Sequence, residues 1–87
     1  MYMGAKKPWL PIDLAVRAIL AELKEENLET VRSLETKSGL SRGRIHLIFS
    51  EETAPATLGE IKQLARAFGV SASAIVHEAE KRSRGLE

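Results

Sequence analysis

Between Thr36 and Ser50 the chain carries Lys37, Arg42, Arg44 and His46 and no acidic residue. Two guanidinium groups two positions apart are planar donor forks that match phosphate oxygens or the edge of a guanine. The acids lie to either side, with Glu22, Glu25, Glu26 and Glu29 before the window and Glu51 and Glu52 after it. A net charge of only +1 therefore conceals one attractive face on an otherwise balanced surface. Other chemistries lack their residues. The two histidines, His46 and His77, fall on different expected helices, and there is no cysteine, nucleophile–base motif, metal-ligand cluster or glycine-rich phosphate loop. No catalytic residue, metal or cofactor is expected.

The elements that must carry these cations are legible in residues 31–50, VRSLETKSGLSRGRIHLIFS. Gly39 can adopt the left-handed conformation that ends a helix, and Ser41 can cap the next one. Ile45, Ile48 and Phe49 then follow at helical spacing. Two short helices across so tight a turn predict a helix-turn-helix, whose second helix can enter the major groove of double-stranded DNA.

Around this unit the pattern is helical throughout. From Asp13 to about Glu26, Val16, Ile19, Leu20 and Leu23 form one apolar stripe, with Pro11 upstream and Asn27-Leu28 as the turn beyond. Thr30 can cap the second helix, which runs to Gly39, and the third runs from Ser41 to about Ser50. Thr57 and Glu60 make a capping box after a loop over Glu51 to Ala56, in which Pro55 forbids an early start. Ile61, Leu64, Ala65 and Phe68 give the fourth helix its stripe, and Gly69 ends it. Ser71 or Ser73 starts a fifth with Ile75, Val76 and Ala79. The expectation is an all-α, compact five-helix bundle, with residues 1–10 as an N-terminal arm, 11–82 as the domain and 83–87 as a tail. At 87 residues such a domain buries roughly 60–65% of its unfolded surface without staples. No run approaches the ~20 apolar residues of a membrane span, and no signal peptide is evident, so a cytoplasmic location is expected.

From about Ile19 to Val76 the chain resembles the lambda-repressor-like, Cro/C1-type (XRE) helix-turn-helix family. Leu34, Gly39, Leu40, Ile45 and Ile48 fall at that family's apolar and turn positions. LIFS (Leu47 to Ser50) looks like the phage-repressor version of the third helix, and PATLGEIKQLARAFGVSASAI looks like the family's fourth and fifth helices. Val31 stands where many members have a phosphate-touching glutamine. Glu35 stands where they prefer alanine or glycine, so its carboxylate must lean outward or the helix crossing must widen. Phe49 replaces a glutamate common in bacterial members.

The resemblance implies a transcriptional regulator, a repressor of the phage immunity or Cro type, whose third helix presents Ser41, Arg42, Gly43, His46 and Leu47 to the bases of an operator. Arg42 is the candidate for a guanine, with a phosphate as the other possibility. Gly43 permits close approach to a base or is a plain surface glycine. Arg44 is expected to meet a phosphate. His46 reads a base or sits in solvent, Leu47 meets a thymine methyl or packs on a neighbour, and Lys37 contacts backbone or is solvated. Thr30 and its amide mark a helix N-terminus suited to phosphate. Lys6 and Lys7 can form a DNA-reaching arm, and Trp9 is expected to pack on the bundle. Related proteins bind as two-fold dimers, so a homodimer is expected, with Ile75, Val76 and Ala79 as its surface or as ordinary packing against the fourth helix. The alternative is an antitoxin or adaptor that uses the same fold to bind a protein partner.

Overall fold

Each helix starts where a side chain can accept an orphan amide. In the computed structural model, which describes residues 9–51 and 53–85, α1 spans Pro11–Glu26, and Asp13 Oδ2 accepts the Leu10 amide at 2.9 Å. Proline at the first helical position loses no hydrogen bond, because that amide has no partner in any helix. Helix α2 (Val31–Ser38) is capped by Thr30, α3 (Arg42–Ser50) by Ser41, α4 (Leu58–Phe68) by Thr57 and α5 (Ala72–Arg84) by Ser71. The Thr57–Glu60 box closes in both directions, at 3.1 and 2.8 Å. Gly39 (φ 81°) and Gly69 (φ 75°) end α2 and α4 in the left-handed region. Leu28, at φ 55°, does the same for α1, and the Glu29 amide reaches back to the Lys24 carbonyl at 2.9 Å.

The stripes converge on one core. Leu20 of α1, Leu34 of α2, Ile45 and Ile48 of α3, and Leu64 of α4 are fully buried, each worth about 1.5–3 kcal/mol relative to exposure. Ala15, Val16, Ile19, Ile61, Ala65, Phe68, Ile75 and Ala79 complete it, and Leu23, Val31, Leu40 and Phe49 pack at its margin. Among the described residues all regular structure is helical, and no helix is long and apolar enough to cross a membrane.

Helix α5 lies along α1, the most extended helix pairing in the molecule. Ile75 and Ala79 are 3% and 0% exposed in that seam. Of the stripe expected as a dimer surface or as packing, Ile75 and Ala79 are thus buried within the protomer, while Val76 stays partly exposed. Arg82 fastens the seam from outside, donating to both Glu22 oxygens at 2.8 and 2.9 Å and to Glu78 at 3.1 Å. The expected boundaries also shift. Helix α5 continues to Arg84 with Ser83 buried, so residue 83 belongs to the domain and not to a tail. At the other end Trp9 Nε1 donates to the Thr53 carbonyl at 2.7 Å, which places the side chain on the bundle as expected and shortens any arm. Lys6 and Lys7 of that arm, and Glu52, lie outside the described residues.

Candidate nucleic-acid interface

The turn from α2 into α3 is held from three sides. Ser38, itself buried, accepts the Leu40 amide on its hydroxyl at 3.1 Å, and its carbonyl accepts Gln63 Nε2 of α4 at 3.3 Å. Ser41 Oγ accepts the Arg44 amide at 3.1 Å and so fixes where α3 begins. Arg17 of α1 holds the other end. Its Nη1 donates to the Phe49 carbonyl at 3.5 Å and its Nε lies 2.6 Å from Glu51 Oε2, placing positive charge at α3's C-terminus, where the helix dipole favours it.

With α3 so fixed, Ser41, Arg42, Gly43 and His46 are exposed along one side and Leu47 is half-buried. A Cβ added at Gly43 would meet nothing within 4 Å, so that stretch of the helix is open to close approach. Leu47 is not among the apolar side chains packed on the core, consistent with a place at the rim of this face.

The cations differ sharply in how they are held. Arg44 is turned away from the exposed face. Its Nε and Nη2 donate to the two Glu60 oxygens at 2.6 and 2.8 Å, Nη2 also reaches the Pro55 carbonyl at 3.3 Å, and Nη1 the Thr53 hydroxyl at 3.5 Å. The side chains of this pair are 24% and 17% exposed. The Arg44 guanidinium holds the Glu60 carboxyl below the usual carboxylate range, against the opposing effect of partial burial. Arg44, expected to meet a phosphate, is thus engaged in a clamp between α3, the following loop and α4. Lys37 pairs with Glu29 at 2.6 Å, its own side chain half exposed. Arg42 is held most loosely, 3.4 Å from Glu35 Oε1, with the two side chains 56% and 39% exposed.

Two further expectations shift in detail. Thr30 accepts the Ser33 amide at 3.0 Å and gives its own amide to Ser33 Oγ at 2.8 Å, so both groups are occupied by capping. The orphan donors of that end are the first-turn amides of Val31 and Arg32. Val31 itself packs on the core, and the exposed side chain of this first turn is that of Arg32. Glu35 leans outward as its polarity requires, toward Arg42.

Sequence reasoning missed Gln63 and Arg17 as supports, and recognised Glu60 only as a cap. Arg44 carried a usable signal: it lies four residues before Ile48, on the helix side that faces the core. Beside the exposed face a groove of about 600 Å³ runs between α1, the start of α2 and α3, with Lys24, Leu28, Val31, His46 and Phe49 in its lining. Comparison of the chain with family models, with curated proteins and with solved structures finds no match in any of the three.

Proposed function

We propose that this chain is a sequence-specific double-stranded DNA-binding regulator of the lambda-repressor-like helix-turn-helix type, a cytoplasmic repressor akin to phage immunity and Cro proteins. The observation that carries this reading is the acid-free, outward face of α3, where Ser41, Arg42, Gly43 and His46 stand open on a helix braced by α1, α2 and α4. Such a helix fits the major groove, with its N-terminal residues against base edges. Arg42 is assigned to a base, Lys37 and the α2 N-terminus to phosphates, and Arg44 to the clamp. A module this small covers little DNA, which favours two copies on a palindromic site.

Selection from a random duplex library tests the reading directly. An enriched palindrome, bound with an affinity that falls steeply with salt, is the expected result. Enrichment of a single half-site would remove the dimer, and no enrichment at all would remove DNA reading. The rival reading is a protein-binding antitoxin or adaptor. It is favoured by Leu28, 89% exposed and at positive φ beside the groove, an apolar side chain with no visible use in the fold. Under that reading DNA retention stays non-selective.

A further inference from the structure

Lys37, Arg42 and Arg44 of the α2–α3 unit each face a carboxylate, and these three pairs form a graded series. Arg44 is locked, with two contacts to Glu60 under 3 Å. Lys37 makes one short contact with Glu29. Arg42 alone has a partner at 3.4 Å with both side chains substantially open. Its partner, Glu35, projects from α2 and reaches across the Gly39 turn to the first residue of α3. The first turn of α3 carries two arginines and no acid of its own, so Glu35 supplies the negative charge there that the helix dipole favours.

A guanidinium has five N–H donors in a fixed fork. With Nη2 giving one hydrogen to Glu35, an edge with two donors remains, which is what guanine O6 and N7 require. The carboxylate and a base can therefore share Arg42. A phosphate cannot share it on equal terms, because Glu35 would then be brought against a like charge. We infer that Glu35 is a specificity-determining positioning residue: it tethers Arg42 over the start of α3 so that the arginine reads a base and is withheld from the phosphate backbone. This rests on the DNA-reading proposal and deepens it. On a wrong sequence, Arg42 can find an anionic partner only by leaving Glu35, whose uncompensated charge then opposes binding. Discrimination arises from repulsion at incorrect sites as much as from attraction at the correct one.

The test compares wild type, Glu35→Gln, Arg42→Ala and the double variant in fluorescence-anisotropy titrations. The probes are the duplex enriched by selection and a scrambled duplex of equal length, each titrated over a range of salt concentrations. Glu35→Gln is expected to tighten binding to the scrambled duplex by about 3- to 10-fold and the enriched duplex by much less, so the affinity ratio falls by about 5- to 10-fold. In the Arg42→Ala background the same substitution should move both duplexes by one common factor. An unchanged ratio in Glu35→Gln, or an equal rise on both duplexes with Arg42 present, would overturn the inference while leaving DNA reading intact. A wild-type protein that enriches no duplex would overturn both. Because Glu35 is partly exposed, the melting temperature of Glu35→Gln should stay within a few degrees of wild type, and a parallel loss of stability and of both affinities would also overturn the inference.

Discussion

Arg42 and Arg44 are two residues apart on one helix and stand in opposite surroundings, one open and one clamped. Successive alternate positions on a helix point about 200° apart, so one arginine faces outward with His46 while the other lies on the side of Ile48. Composition treats them alike; helix register turns them apart, and Glu60, sixteen residues away, locks Arg44 in place. Arg42→Ala should cost ~1–3 kcal/mol of DNA binding and relax preference at a single base pair, measured by binding to single-position variants of the operator. Uniform loss across all variants would instead make Arg42 a backbone contact. Arg44→Ala should cost about 2 kcal/mol of folding stability, between the values for exposed and buried pairs, and leave the salt slope of DNA binding unchanged. In an 87-residue domain that is a fall of roughly 8–16 °C in Tm. The pH dependence follows from the depressed Glu60 carboxyl. Its stabilising contribution is fully present above the unfolded value of about 4.3 and disappears as pH falls through the lower folded value. Thermal melts from pH 6 down to pH 2 should therefore show a smaller acid-induced loss in Arg44→Ala than in wild type.

The α2–turn–α3 element is legible in sequence because its constraints are local. A cap, a stripe and a glycine act within a few residues, and Thr30, Gly39, Ser41, Thr57 and Gly69 all stand where sequence alone puts them, while the structure chooses Ser71 over Ser73 for α5. The glycines offer a paired measurement. Gly39 is at φ 81° with its nearest foreign atom 3.8 Å from an added Cβ, so there is space for alanine and the obstacle is backbone strain. Gly39→Ala should cost ~1–2 kcal/mol in denaturant unfolding. Gly43 is helical and open, so Gly43→Ala should stabilise the fold by ~0.5–1 kcal/mol. If that open stretch of α3 lies against DNA, the same variant binds the operator more weakly despite being more stable. Stabilisation with unchanged affinity would make Gly43 a surface glycine. The braces were not legible in the same way. Gln63 reaching Ser38, and Arg17 reaching Phe49, span 25 and 32 residues, and no spacing rule connects such positions.

For the molecule as a whole, α5 is the element whose role changed most between sequence and structure. Ile75, Val76 and Ala79 form an apolar stripe that fits an interface between copies as well as a seam within one copy. The protomer itself buries Ile75 and Ala79, at 3% and 0% exposure, while Val76 stays partly exposed. Ala79→Leu should overpack that seam and cost ~1–3 kcal/mol in chemical denaturation, with the oligomeric state by sedimentation unaltered. A change in association with unchanged stability would return this stripe to the interface. Sequence alone determined the number of helices, most of their caps and glycine stops, the stripes that became the core, and a cation-rich segment free of acids. Each of these depends on interactions within one or two helical turns, or on periodicity that every residue of a stripe repeats. Tertiary structure alone decided which cation is locked, which is tethered and which face of α5 is spent. Those outcomes depend on carboxylates and carbonyls brought within 3.5 Å from distant parts of the chain, and an ion pair's strength depends on that separation and on burial rather than on residue type.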